Sequence, residues 1–200
     1  TEDLGGGLKA NFRLEGGINA DTGSGRSGGA SGNGFEFKRN STVGLQGGFG
    51  EVRLGRELTA AYNAVARYDV FGSVGLAYSR LWVAGDTAES STNATATAPN
   101  IRVSNAVTYV SPNFAGFKVG VNYGFGEIAG KSSDARYLGA GLTYDNGPVS
   151  VGLAAEQLKQ NTLGGNSSAS INGDLTAWAL GASYDFGVAK LLGTYRSAKH

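Results

Sequence analysis

The sequence predicts an all-β fold, an antiparallel up-and-down sheet curled into a transmembrane barrel, and three observations carry that reading. Apolar and polar residues alternate with period two in segment after segment, the mark of strands with one oily and one wet face. The connections between those segments are short and long by turns. Glycine supplies 34 of 200 residues against only 3 prolines, roughly twice ordinary glycine usage and without a collagen-like triplet.

The segments follow in order. Leu8, Ala10, Phe12 and Leu14 alternate with Lys9, Asn11, Arg13 and Glu15. Weaker alternation covers Arg39 to Gly47 and Glu51 to Arg56. Ile101, Val103, Val107 and Tyr109 oppose Arg102, Ser104, Ala106 and Thr108, with Asn105 breaking the apolar side. The clearest strand is Phe117 to Phe125, where Phe117, Val119, Val121, Tyr123 and Phe125 oppose Lys118, Gly120, Asn122 and Gly124. Ala135 to Asp145 is weaker; Val149 to Glu156 and Leu175 to Phe186 alternate cleanly; Val188 to Arg196 closes the series at nine strands.

Short connections at Gly47 to Gly50, Ser111 to Gly116, Asp145 to Pro148 and Phe186 to Val188 lie at one end, and Asn146-Gly147 is a hairpin signal. Long ones, Asp21 to Gly34, Glu57 to Pro99 and Gln160 to Gly173, lie at the other. Tyr109, Phe117, Tyr144, Tyr184 and Phe186 sit beside the short turns on the apolar face, where a membrane-interface girdle belongs. A soluble sandwich is the alternative, and it would gather aromatics nearer its strand centres. About ten residues at roughly 3.3 Å each, tilted about 45°, span roughly 23 Å, close to the apolar band of an outer-membrane barrel. Glycine, serine, asparagine and isolated charges on the other face suit a wall that lines water rather than a dry interior.

Composition narrows function. With 17 basic and 16 acidic side chains the net charge is +1, so no global field draws nucleic acid. Cysteine is absent and the lone histidine is the terminal His200, which argues against thiolate or imidazole metal sites, cysteine nucleophiles and a Ser-His-Asp triad. No enzyme, metal or cofactor is expected. No apolar run is long enough for a membrane helix, and Thr1 to Gly7 has neither the basic end nor the apolar middle of a secretory signal. Gly5-Gly6-Gly7 and Gly124-Phe125-Gly126 lack the following helix of a nucleotide loop and read as turns.

Over essentially its whole length the chain resembles the general diffusion porins of Gram-negative bacteria, especially the β-proteobacterial branch. The resemblance rests on Thr1-Glu2-Asp3-Leu4-Gly5-Gly6-Gly7-Leu8-Lys9-Ala10, Val43-Gly44-Leu45-Gln46-Gly47-Gly48-Phe49-Gly50 and Arg53-Leu54-Gly55-Arg56. Val107-Thr108-Tyr109, Ser111-Pro112-Asn113-Phe114-Ala115-Gly116-Phe117 and Leu142-Thr143-Tyr144-Asp145-Asn146-Gly147-Pro148 follow in the family's order. It implies a barrel of the sixteen-stranded porin type. Residues 1–200 would then be a partial barrel domain, without its N-terminal hairpin and C-terminal strands.

The resemblance also implies a function: a homotrimeric channel in the bacterial outer membrane, set among lipid and lipopolysaccharide, for passive diffusion of ions and small hydrophilic solutes. Residues 57–99 match the loop that folds inward and narrows such a pore, through Gly55-Arg56-Glu57, Tyr62 and Phe71-Gly72. By that match Asp69, Asp86 and Glu89 supply the acidic side of the constriction, and Arg56 and Arg102 the basic side. Alternation or family position adds Lys9, Arg13, Lys38, Arg53 and Lys118 to the lining, against Glu15, Glu36, Glu51 and Glu156. This excess, with Val70 where related porins often carry glutamate, implies a weak anion preference. Arg39 shares the parity of Val43 and Leu45, so it is expected at the rim or across a bulge, since a lipid-facing midplane arginine costs about 2–4 kcal/mol. Two other functions remain open: a soluble lectin- or adhesin-like module, which would not partition into detergent, and a monomeric substrate-selective barrel, whose conductance solute would block saturably.

Overall fold

The computed structural model describes residues 1–25, 35–71, 101–126, 136–159 and 174–199. Among them ten strands form one sheet in sequence order: β1 Glu2–Gly5, β2 Leu8–Glu15, β3 Asn40–Gly47, β4 Gly50–Leu58 and β5 Arg102–Val110, then β6 Phe117–Gly124, β7 Tyr137–Asn146, β8 Val149–Leu158, β9 Leu175–Asp185 and β10 Lys190–Lys199. Every neighbouring pair is antiparallel. This is the up-and-down topology that alternation and turn spacing imply. Among the described residues β1 and β10 do not pair, so the sheet is open within this chain.

The sequence reading finds nine strands; the tenth is β1. Its four residues fold back on β2 through a glycine turn, with Asp3 opposite Lys9. A strand this short shows no legible period. Gly5, Gly6 and Gly7 all have φ between 60° and 83°, a region that L side chains rarely occupy, so this turn requires glycine.

Registers place the faces. Leu142 pairs with Leu153, and Leu153 with Leu180, so three leucines form a row on the outer face. Lys118 and Thr143, and Gly152 and Gly181, pair on the inner one. Beside the short turns, the Phe117 and Tyr144 rings lie 4.4 Å apart, those of Tyr184 and Phe186 lie 4.6 Å apart, and the Tyr109 hydroxyl donates to Phe49 O at 2.8 Å. A second aromatic band, which the sequence reading did not single out, lies toward the other end: Trp178 beside Tyr195 at 5.3 Å and Tyr123 beside Phe125 at 4.9 Å. Trp178 and Tyr184 are six residues apart on one strand, about 20 Å along it and about 14 Å in height at a tilt of about 45°, so the two bands flank the apolar row between them.

The sequence reading departs from the structure at β5. Asn105 takes φ 48° and the β4–β5 register slips between Gly55 and Glu57. This bulge reverses the backbone parity of the strand before it. Val103 therefore does not share the outer face of Val107: it is buried with Ala106, Tyr137 and Leu158. Arg102, at the strand end opposite Leu58, reaches a polar concavity through its side chain, which donates to Arg39 O. Asparagine tolerates a left-handed conformation better than most residues, so the break in the apolar row at Asn105 marks the place.

The inner face is also not wetted throughout. A helix, α1 Ala60–Val65, continued by a 3-10 turn at Ala66–Tyr68, lies against β6 to β9. Ala61, Ala64, Val65 and Tyr68 pack with Ala154 and Ala179 in a small dry core.

The face assignment makes a prediction. Leu153→Lys puts an ammonium into the outer leucine row and should destabilise the barrel by about 2–4 kcal/mol, read by urea unfolding in lipid vesicles. Thr143→Glu, on the inner face opposite Lys118, should change stability little. Equal losses from the two substitutions would reverse the assignment.

Candidate functional site

Strand β4 ends at Leu58, and the chain turns inward at Thr59, whose N–H donates to Ile101 O at 2.9 Å. Thr59 caps α1, its Oγ1 accepting from Tyr62 N at 3.1 Å. The Ala60 N–H is taken by Asn122 Oδ1 of β6, and the Asn122 amide donates to Thr108 Oγ1 at 2.6 Å. Thr59, Thr108 and Asn122 are all buried. Thr59 and Asn122 satisfy helix N–H groups that would otherwise be orphaned away from water, and Thr108 fixes the Asn122 amide.

The far end is fixed by charge and hydroxyls. Arg67 pairs with Asp145 and donates to Ser150 Oγ at 2.5 Å, while the Tyr68 hydroxyl lies 2.8 Å from the same oxygen. The Arg67 guanidinium stands 5.2 Å from the Tyr68 ring centre. Burial works against its charge, but hydrogen bonding to Asp145 and Tyr68 outweighs this, and the net shift of its pKa is upward.

Beside the helix, on β8 and β10, Glu156 and Arg196 form a buried pair at 2.6 Å, with side chains 11% and 5% exposed. Tyr137 of β7 donates to the second Glu156 oxygen at 3.1 Å. This charge pair braces the wall rather than facing solute.

Facing the start of α1 is a polar concavity of about 430 Å³, whose charged lining is Arg13, Arg39, Arg53, Arg102, Glu15, Glu51 and Glu57. Arg53 is held between Glu51 and Glu57 at 2.7 Å each. Glu15 takes Arg39 at 2.6 Å and Arg13 at 3.0 Å. Arg102 donates to Arg39 O at 2.9 Å. Three arginines thus gather around one carboxylate, with Asn63 of α1 on the same concavity.

The residues singled out from sequence fall in different places. Arg13, Arg53 and Arg102 meet in this concavity. Lys9 lies opposite Asp3 and Gln46, and Lys118 opposite Thr143. Lys38 precedes β3 and pairs with Glu36 at 2.7 Å. Arg56 pairs in register with Ser41, one step off the face of Arg53 and Glu57, and donates to Lys38 O and Ser104 Oγ at 2.7 Å each. Asp69 Oδ1 accepts from Phe71 N at 3.1 Å in the turn after Tyr68. Asp86 and Glu89 lie outside the described residues.

The sequence reading missed the part of Glu57, which pairs with Arg53, and that of Arg39 in the site. Arg39 occupies a bend just ahead of β3, at the rim, yet its guanidinium turns inward to Glu15. The run Asn40, Thr42, Gly44 and Gln46, all on the inner face of β3, is the signal that the strand starts at Asn40 and that parity does not reach residue 39.

Comparison with known proteins agrees with this architecture. The profile of the Gram-negative porin family matches residues 1–200. Outer membrane porin protein 32 of Delftia acidovorans is 43% identical over 205 residues, covering 100% of this chain and 52% of that protein. An outer membrane porin of Bordetella pertussis is 32% identical over 208 residues, covering 98% of this chain and 49% of its own length. The solved structure of an anion-selective porin from Comamonas acidovorans aligns with a TM-score of 0.74 at 40% identity, over 98% of this chain and 55% of that one. The chain spans about half the length of the curated relatives it matches.

The buried pair yields a test. Arg196→Met leaves Glu156 buried without its cation and should cost about 3–5 kcal/mol of stability, whereas Arg196→Met with Glu156→Leu should recover most of that loss. Urea unfolding of the single and double variants measures both; equal losses would mean the pair is solvated.

Proposed function

We propose, on the premise that this chain belongs to the Gram-negative porin family, that the full-length protein is a water-filled channel of the bacterial outer membrane. It passes ions and small hydrophilic solutes by passive diffusion, with a weak preference for anions. The observation that carries this reading is the concavity in which Arg13, Arg39 and Arg102 gather around Glu15 while Arg53 is matched by Glu51 and Glu57. Its charged lining among the described residues is four arginines against three glutamates.

The physics needs no reacting group. Fixed charges on a narrow wetted wall set a local potential that raises the concentration of one ion sign, and the width of the neck limits solute size. Residues 57–99 form the constriction in this reading, supported by the placement of residues 59–68 on the inner face. Arg102 stands on its basic side directly; Arg56 contributes by holding the Lys38 carbonyl beside Arg39. Asp69, Asp86 and Glu89 are the proposed acidic side. Assembly as a homotrimer among outer-membrane lipid and lipopolysaccharide belongs to the same proposal. The name of the Comamonas relative, an anion-selective porin, favours the same sign.

Planar-bilayer recording of the full-length protein in a KCl gradient tests it, with a reversal potential on the anion side expected. A unit charge about 8 Å from an ion in water is worth about 0.5 kcal/mol, reduced to about half by screening and of opposite sign for chloride and potassium, so Arg102→Gln or Arg39→Gln should each lower the chloride-to-potassium permeability ratio by about twofold. Strong cation selectivity in the unaltered protein would sink the anion preference.

A further inference from the structure

We propose that four inner-face glycines, Gly120, Gly141, Gly152 and Gly181 on β6 to β9, set how far residues 60–68 project from the wall, and through that the bore and size limit of the channel. This rests on the channel reading above. None of the four has a φ in the left-handed region, so the backbone does not call for glycine. Space does. A Cβ at Gly141 would overlap Ala60 O and lie 2.7 Å from Ala64 Cβ. At Gly152 it would overlap Ala64 O and lie 2.8 Å from Tyr68 Cε2. At Gly181 it would overlap Tyr68 Cδ2 and lie 2.8 Å from Cε2, and at Gly120 it would stand 3.3 Å from Ala60 Cβ. Real Cβ atoms essentially never approach closer than 3.0 Å.

The helix matches this floor with small residues of its own, Ala60, Ala61 and Ala64, so backbone rests close to backbone. On its other side Asn63 and Arg67 are exposed. Something must give when a methyl is added to the floor, and the two sides are unequal. Each glycine strand is bonded to neighbours on both edges, and its outer face abuts the apolar belt. The helical segment has six residues and one further turn, held mainly through the Asn122 contact at its start and the Ser150 and Asp145 contacts at its end. Added methyls therefore move the segment away from the wall, by about 1 Å to restore ordinary contact distances, and carry Asn63 and Arg67 into the lumen.

Single-channel conductance and liposome swelling with sugars of increasing size, both on the full-length protein, test the proposal. Gly141→Ala, Gly152→Ala and Gly181→Ala should lower conductance and slow large sugars more than small ones, with Gly120→Ala showing the smallest loss. Gly193→Ala in β10, where a Cβ meets nothing within 4 Å, should match the unaltered protein. Tyr68→Ala should remove the further loss caused by Gly181→Ala. Correctly folded Gly152→Ala and Gly181→Ala channels with unchanged conductance and size dependence overturn the proposal. If those variants do not assemble, Gly120→Ala carries the same two outcomes. An unaltered protein with no conductance at all overturns the channel reading itself, a result distinct from any difference between variants.

Discussion

Backbone groups that face hydrocarbon have no water to bond, so each strand must satisfy its neighbour and no strand may leave the order. The rest of the structure depends on that requirement. Among the described residues it yields ten strands, each paired with its sequence neighbours, short turns at one end, and registers in which Leu142, Leu153 and Leu180 fall in one row. Once the ladder is continuous, the pleat assigns each side chain a face without further choice. Among the described residues, irregular backbone lies in the interior, at the strand ends and at the Asn105 bulge, whose carbonyl accepts from Phe125 N. The inward turn at Thr59 obeys the same rule: its N–H goes to Ile101 O and the next one to Asn122.

Charge is used in two ways on the same wall. Around Glu15 the arginines outnumber the carboxylate and remain partly exposed, so their field acts on whatever enters the concavity. Arg196 and Glu156 are matched and covered, with Tyr137 occupying the second carboxylate oxygen. Such a pair contributes little field at a distance, since opposite charges at contact cancel. Its effect is on shape: it ties β10 to β8 across the small inner-face residues Ala177 and Ala179 of β9, which leave room for the guanidinium.

The strands were legible because alternation is local: Phe117 to Phe125 declares both its faces without reference to any other segment. What alternation could not carry was a change of phase. Asn105 reverses it, so Val103 and Val107, four residues apart and both apolar, lie on opposite sides of the wall. Residue 39 escapes it for a related reason, since it lies just outside the strand whose parity it shares. The glycines were legible as an inner face and not as a seat. Their surroundings come from residues 60–68, which are distant in sequence from all four and adjacent only after the loop turns inward. Asn122 likewise reads as one polar residue among several on its strand, and its part in anchoring the helix exists only in the folded chain.

A helix of six residues is far below the length at which propensity sustains it in water, and α1 has no acidic residue in its first turn to complement its dipole. Its stability must come from outside. The wall supplies what an isolated segment lacks: a carbonyl oxygen from Asn122 for an orphan N–H, a dry floor for Ala61, Ala64 and Val65, and an oxygen from Ser150 for Tyr68 and Arg67. The seat and the segment are therefore one folding problem, because at Gly141, Gly152 and Gly181 the space a Cβ would take is occupied by the segment itself. A barrel wall built solely to line water could carry serine or threonine at these four positions at no cost in space. Glycine at these positions leaves room for the segment, which ties the placement of residues 60–68 to the strands that carry it.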